Sequence, residues 1–202
     1  MKKDRKYLIV GLGNAEAKYN GTRHNIGFEV VHALAKSLKG TFRATDYAYV
    51  AEVDCNGHPL FIIMPTTYMN LSGIAVRYWL AQENISVDSL LVVSDDIDLP
   101  VGDLRLKPKG GGGSHNGLSH IVEFLGHGNF PRLRFGIGRN YVHGRQTGYV
   151  LGKFEHDEYV KIVNPAVEKA VLMIKTFVTL GLMRTMNKFN TRPKPIKDPD
   201  DQ

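Results

Sequence analysis

A continuous apolar run in the middle of the chain limits the folds that this sequence can adopt. Residues 90–94 read LLVVS, a composition typical of a strand buried on both faces at the centre of a sheet. A second apolar run covers residues 7–12. Segments with the spacing of amphipathic helices alternate with these and other predicted strands along the chain. This alternation of strands and helices predicts an α/β fold.

A hairpin makes the predicted sheet mixed rather than wholly parallel. Residues 47–53 and 60–64 are predicted strands, and the Asn56-Gly57 pair between them is a signal for a tight turn. Further strands are predicted at 103–107 and 133–138. Helices are predicted at 26–38, 72–83, 117–125 and from 157 to 188, the last interrupted at Pro165 and Gly181.

We therefore expect one domain, residues 1–190, built from a twisted mixed β-sheet flanked by helices. Residues 191–202 contain three prolines and almost nothing to bury. A segment of this composition cannot offset the entropy of ordering, so we expect a disordered tail.

Composition excludes several classes of protein. With 202 residues, 43% hydrophobic and 23% charged, the chain has an ordinary globular composition. No run approaches the roughly 18 apolar residues of a membrane span, and the N-terminal residues lack the apolar core of a signal peptide. The single Cys55 excludes an internal disulfide and a cysteine-cluster metal site. We expect a cytoplasmic protein.

The positive charge is concentrated in one part of the sequence. The whole chain carries +6, whereas residues 105–153 carry +7 and the remainder −1. This segment holds a single acid, Glu123, and eight basic residues: Arg105, Lys107, Lys109, Arg132, Arg134, Arg139, Arg145 and Lys153. A local basic field indicates a polyanionic partner such as nucleic acid. Charge alone is equally compatible with a solvated basic face that has no partner.

His24 is a candidate general base. It lies between the first predicted strand and the first predicted helix, where α/β proteins often place functional groups. The positive end of a helix dipole disfavours an imidazolium, and a neutral imidazole is the form that a base needs. A helix cap or a surface histidine is the alternative interpretation.

Asp95, at the end of the central run, is a candidate partner for His24. Its carboxylate can accept a hydrogen bond from one ring nitrogen and so fix the tautomer. A turn or cap aspartate is the alternative. Adjacent Asp95 and Asp96 would point apart on an extended chain, and no second acidic cluster accompanies them, which disfavours a magnesium site. We predict no metal.

Nucleotide cofactors are also not indicated. Gly11 and Gly13 begin like a dinucleotide fingerprint, but Glu16 occupies the third glycine position. The glycine-rich loop 110–113 lacks the Gly-Lys-Ser/Thr ending of a P-loop. Three loop asparagines, Asn14, Asn70 and Asn116, can instead bind a carbonyl without adding charge. Each one alone also suits a turn or a helix cap.

Several motifs together resemble bacterial-type peptidyl-tRNA hydrolase. They occur in that family's order and spacing and extend the resemblance over roughly residues 7–190. The motifs are VGLGN at 10–14, TRHNIG at 22–27, PTTYMNLSG at 65–73, DDIDLP at 95–100, SHNG at 114–117, RLRFGIG at 132–138 and GYVLGK at 148–153.

The resemblance implies a monomeric enzyme without metal or cofactor that hydrolyses the ester between a peptide and the 3′ end of tRNA. His24 matches the general base, Asp95 the aspartate that holds it, and Asn14 the residue that distinguishes blocked from free aminoacyl groups. The positions that match binding of the peptidyl-tRNA end are Tyr19, Tyr68, Asn70 and Asn116. The positions that match tRNA phosphate contacts are Lys107 and Arg134.

The sequence also departs from the family pattern. Ala15-Glu16 stands where the family has Pro-Gly, and Ser114 stands where it has glycine; a positive φ at Ser114 would be strained. Two other functions remain open at this level: an RNA-binding relative that has lost hydrolysis, and a generic carboxylesterase. Retention of the whole histidine, aspartate and asparagine set disfavours the first, and the basic segment disfavours the second.

Overall fold

The computed structural model describes residues 4–142 and 144–190, so the predicted tail at 191–202 lies outside the described residues. Within them the chain forms a seven-stranded sheet with the order β2-β3-β4-β1-β5-β7-β6. Its strands are β1 (Tyr7–Gly11), β2 (Arg43–Ala44), β3 (Ala48–Asp54), β4 (Pro59–Pro65), β5 (Leu90–Asp96), β6 (Leu104–Lys107) and β7 (Arg132–Gly136). The predicted α/β class is confirmed.

The centre of the sheet is parallel and its margins are antiparallel. β1 pairs in parallel with β4 on one side and β5 on the other, and β5 pairs in parallel with β7. β3 with β4, and β6 with β7, are antiparallel. Apolar runs form the central strands because both faces are covered, as the sequence predicts. The carboxyl ends of β1, β4, β5 and β7 therefore meet at one edge, where α/β proteins place their sites.

Helices cover both faces of the sheet. They are α1 (Ile26–Ser37), α2 (Ser72–Gln82), α3 (Asn116–Leu125), α4 (Gln146–Val150), α5 (His156–Glu158), α6 (Asn164–Leu180) and α7 (Leu182–Phe189). α1 and α6 pack in one hydrophobic core, and α2 and α3 pack in a second core on the other face. Among the described residues, no helix is long and apolar enough to cross a membrane.

The predicted interruption at Pro165 is a change of helix type, from a π-helical turn to an α-helix, rather than a break in the helix. A π-helical turn, Tyr159–Val163, runs directly into α6, with Pro165 in the first turn of α6. The wider turn before the proline accommodates its missing N–H and its ring, which an uninterrupted α-helix would not. Gly181, with φ of 83°, does end α6 as predicted.

The Asn56-Gly57 turn is confirmed in detail. Both residues have positive φ, 55° and 83°, which is the signature of a type I′ turn. Cys55 and His58 exchange backbone hydrogen bonds across it, at 2.9 and 3.2 Å. The turn fixes the register of the β3–β4 hairpin.

Gly57→Ala is expected to lower the free energy of unfolding by about 1 kcal/mol, because a side chain disfavours this positive φ. No atom lies within 4 Å of the site of a Cβ at Gly57, so the cost is conformational. Gly148→Ala, in α4 and equally uncrowded, serves as control and should be neutral or stabilising. Urea denaturation of both variants checks this, and equal effects would contradict it.

Candidate active site

The start of α1 packs closely on the ends of two central strands. A Cβ at Gly27 would lie 2.5 Å from the carbonyl oxygen of Leu12 and 2.7 Å from that of Val93. Such contacts are too short for any side chain, so glycine is what permits this approach. As a result the 3₁₀ turn Arg23–Asn25, which precedes α1, is held beside the end of β5.

Asp95 lies between two histidines at this edge. His24 Nδ1 is 2.7 Å from Asp95 Oδ1, and His115 Nε2 is 3.0 Å from the same oxygen. The side chains of His24, Asp95 and His115 are 14%, 4% and 9% exposed. β5 extends to Asp96 rather than ending before Asp95, so the carboxylate is fixed by a strand. The predicted contact between His24 and Asp95 is present.

The hydrogen bonds assign a tautomer to each ring. His115 caps α3: its Nδ1 accepts from the backbone N–H of Gly117 at 3.1 Å and of Leu118 at 3.3 Å. Nδ1 is therefore unprotonated, and Nε2 carries the proton that is donated to Asp95. His24 donates its Nδ1 proton to the same carboxylate. Nε2 of His24 is left with a free lone pair, as general-base catalysis requires.

Asp95 is the charged member of this trio. Burial alone would raise the pKa of Asp95, but the contacts from His115 and His24 outweigh it and hold the pKa below its usual value. The carboxylate is thus ionised at neutral pH. An ionised, desolvated carboxylate stabilises an imidazolium that forms beside it.

The same three side chains have the ligand types of a metal site. Their nearest nitrogen and oxygen atoms lie within 4.8 Å of one another. A metal on His115 Nε2 would force that proton onto Nδ1, which already faces two backbone N–H donors. The capping role of His115 therefore disfavours metal binding and favours a hydrogen-bonded arrangement.

Asn14 is held in place by Asn25, whose role the sequence motifs do not predict. The side chain of Asn25 donates to the Asn14 carbonyl at 2.9 Å and accepts from the Asn14 N–H at 2.8 Å. Asn25 is buried, so this two-way contact fixes the loop after β1. The Asn14 side chain is left available to a ligand in the adjacent cleft.

A cleft of about 650 Å³ opens over these residues. Five of the predicted site residues line it together with Asp95 and Arg134: Asn14, Tyr19, His24, Lys107 and Asn116. The glycine-rich loop and α4 form the remaining walls. The structure thus brings most of the predicted residues together around one cleft.

Tyr68 and Asn70 are placed differently. Tyr68 is 72% exposed, Asn70 is also exposed, and neither lines the cleft. In the 3₁₀ turn Met69–Leu71 it is Met69 that is buried and reaches the cleft. A turn that buries Met69 directs its neighbours outward. Binding of substrate by Tyr68 and Asn70 stays a prediction.

The basic residues of the segment differ in their surroundings. Lys107 is exposed and lines the cleft, whereas Arg134 lines the cleft and forms an ion pair with Asp96. Arg132 is buried and donates to the carbonyls of Gly111 at 2.7 Å and Gly128 at 3.0 Å. Burial, with a smaller effect of Arg134, lowers the pKa of Arg132 to about 10. Arg132 therefore holds the glycine-rich loop, and its side chain also borders the cleft.

The two sequence departures are accommodated locally. Ser114 has no positive φ, and Gly113 takes it instead, with φ of 58°, so the expected strain is absent. Glu16 pairs with Lys18 at 2.7 Å on the surface and is not among the cleft residues.

Fold and site define an α/β protein in which an aspartate-held imidazole faces a cleft with a basic side, as a hydrolase acting on an anionic substrate requires. Residues 8–197 match the family model of peptidyl-tRNA hydrolase. The chain belongs to the peptidyl-tRNA hydrolase family.

Individual relatives agree with this assignment. The chain is 50% identical to peptidyl-tRNA hydrolase of Porphyromonas gingivalis over 186 residues, covering 92% of this chain and 100% of the relative. It is 48% identical to that of Parabacteroides distasonis over 187 residues, covering 93% and 100%. The crystal structure of peptidyl-tRNA hydrolase from Acinetobacter baumannii superimposes with a TM-score of 0.87 at 35% identity, covering 95% of this chain and 97% of that one.

Asp95→Asn is expected to remove an acid-sensitive part of the stability. Because the pKa of folded Asp95 lies below the unfolded value of about 3.9, the ionised group stabilises the fold above that pH. The contribution is lost as pH falls through the folded pKa.

The difference in unfolding free energy between the unmodified chain and Asp95→Asn should therefore shrink by on the order of 1 kcal/mol from pH 5 to pH 3. Denaturant titrations at both pH values measure it, with the exposed Asp46→Asn as control. A difference that does not depend on pH would contradict the assigned charge state.

Proposed function

We propose that this chain hydrolyses the ester bond between a peptide, or an N-blocked amino acid, and the 3′ end of tRNA. The observation that carries the proposal is the 2.7 Å contact between His24 Nδ1 and buried Asp95, which leaves Nε2 as a base in a cleft with a basic side. Family membership supports the choice of ester.

In the proposed reaction His24 Nε2 takes a proton from water as the water oxygen attacks the ester carbonyl carbon. The tetrahedral intermediate collapses with cleavage of the bond to the ribose 3′ oxygen. The imidazolium returns its proton to that oxygen, which gives free tRNA and a peptide carboxylic acid, and the acid then loses its proton to solvent. Asp95 keeps the ring oriented and stabilises the transient imidazolium, as in other histidine–carboxylate pairs.

The asparagines supply neutral hydrogen bonds to the substrate. We assign Asn116, at the start of α3 in the cleft, as a donor to the developing oxyanion, where a positioned donor is worth a large factor in rate. Asn14, fixed by Asn25, contacts the blocked amino group of the aminoacyl residue. Tyr19 lies against the terminal adenosine or the peptide; Tyr68 and Asn70, at the surface, meet the substrate outside the cleft.

The basic side of the cleft receives the tRNA backbone. Lys107 is exposed there and contacts a phosphate directly. Arg134 is paired with Asp96, so a phosphate replaces or joins that carboxylate. We propose that the protein acts as a cytoplasmic monomer and uses no cofactor.

His24→Ala is expected to reduce release of N-blocked amino acid from tRNA by at least about 100-fold, the typical contribution of a positioned base. The unmodified chain should release the blocked substrate and leave the unblocked aminoacyl-tRNA largely intact. His32→Ala, at an exposed histidine on α1, the helix that follows the His24 turn, is the matched control and should retain activity.

Undiminished turnover in His24→Ala would refute the base assignment. Failure of the unmodified chain to release either substrate, with tRNA binding retained, would favour an RNA-binding protein that has lost hydrolysis.

Lys107→Ala should raise KM and weaken the dependence of KM on salt, with the slope on a logarithmic plot falling by about 0.7–0.9. The slope falls because a complex with one phosphate contact fewer releases one counterion fewer when it forms. Lys169→Ala, on α6 and exposed, removes the same charge away from the cleft. Identical salt slopes for all three proteins would rule out the phosphate contact.

A further inference from the structure

Arg23, the residue before His24, makes a set of contacts that the proposed chemistry does not use. Its side chain is only 12% exposed and is not among the cleft residues. Its Nη1 donates to the carbonyl of Lys153 at 2.7 Å. The guanidinium lies over the rings of Tyr149, at 4.3 Å, and Phe154, at 5.0 Å.

These contacts are all made with residues 149–154. We call residues 146–154, which comprise α4 and the residues that follow it, the cleft wall. The backbone joins the same two regions: the Arg23 N–H donates to the Gly152 carbonyl at 2.9 Å, and Thr22 forms an isolated antiparallel bridge with Lys153. The cleft wall is therefore bound to the His24 turn both by main-chain contacts of Thr22 and Arg23 and by the Arg23 side chain.

The cleft wall borders the space in front of His24. Gln146, Thr147, Val150 and Leu151 line the cleft. α4 has only five residues and none of them is fully buried. Tyr149 and Val150 pack against the edge of the core, so packing fixes this short helix only in part. Apart from Arg23, one side-chain anchor is the Tyr149 hydroxyl, which donates to the Ile137 carbonyl at 2.6 Å.

The chemistry of the site requires arginine. Only a flat guanidinium can lie against two aromatic rings while it donates in its own plane to a carbonyl. The site also bears a cost: Arg23 Nε is buried without a hydrogen-bond partner among the described residues, and Glu158 lies 3.6 Å from Nη2. A buried donor left unpaired is unfavourable, so stability alone does not explain the residue.

We propose that Arg23 is a positioning residue that fixes the cleft wall against the His24 turn, and so sets how tightly the ester end of the substrate binds. The proposal rests on the proposed function for its kinetic readout. Arg23 is not among the residues that line the cleft. Its effect is therefore on KM more than on kcat, because His24 remains held by Asp95 and by Gly27 packing.

Arg23→Ala should raise KM for N-blocked aminoacyl-tRNA by about tenfold, because the loss of one charge-assisted hydrogen bond lowers the population of the ordered cleft wall by about that factor, with kcat within about threefold. Arg23→Lys should behave similarly, since an ammonium cannot stack and donate in this geometry. Arg43→Ala removes an exposed arginine paired with Glu52 and should leave both constants unchanged.

Hydrogen exchange supplies a readout that is independent of catalysis. In Arg23→Ala and Arg23→Lys, the amides of Tyr149, Leu151 and Gly152 should exchange at least about tenfold faster, while β5 amides keep their protection. An unchanged KM, or a fall in kcat at constant KM, would overturn the proposal, as would unchanged exchange in the cleft wall. If the unmodified chain shows no hydrolysis, the proposed function is refuted. Hydrogen exchange would still test whether Arg23 holds the cleft wall.

Discussion

The candidate site depends on one oxygen atom, Oδ1 of Asp95, which accepts hydrogen bonds from two histidines. The two rings present opposite nitrogens to it, because His115 must keep Nδ1 free to cap α3. The carboxylate thereby fixes the tautomer of His24, and it accepts the proton that capping of α3 places on Nε2 of His115. Its own ionisation is maintained in a buried position by these donors.

The surrounding structure keeps this oxygen in place. β5 carries Asp95 at the edge where the parallel strands end, and the absence of a side chain at Gly27 lets α1 approach that edge. α3 carries His115 from the other face of the sheet. Three elements that are distant in sequence therefore converge, and removal of any one contact affects the other two.

Much of this arrangement can be predicted from the sequence. The apolar strands, the Asn56-Gly57 turn and the His24–Asp95 pair all follow from local patterns or from the family motifs. The role of His115 cannot be predicted from its motif, because the contact with Asp95 and the capping of α3 depend on the tertiary structure. Likewise, nothing in the local pattern reveals that Asn25 holds Asn14.

Tertiary packing determines the features that the sequence does not predict. Pro165 predicts a helix break, but a preceding π turn accommodates the ring. Tyr68 and Asn70 share a motif with buried Met69, and the direction of each side chain in a 3₁₀ turn is set by packing. The net charge predicts a polyanionic partner, but which cations are buried or paired, as Arg132 and Arg134 are, depends on the fold.

Nitrogen-15 NMR of the histidine rings at neutral pH tests the central claim most directly. The assigned hydrogen bonds predict that His24 is protonated at Nδ1 with Nε2 bare, and that His115 is protonated at Nε2 with Nδ1 bare. In Asp95→Asn, His24 should populate both tautomers. His115 should keep its proton on Nε2, because its Nδ1 still caps α3. Detection of His24 with its proton on Nε2 would contradict the account, because that nitrogen could not then act as the base.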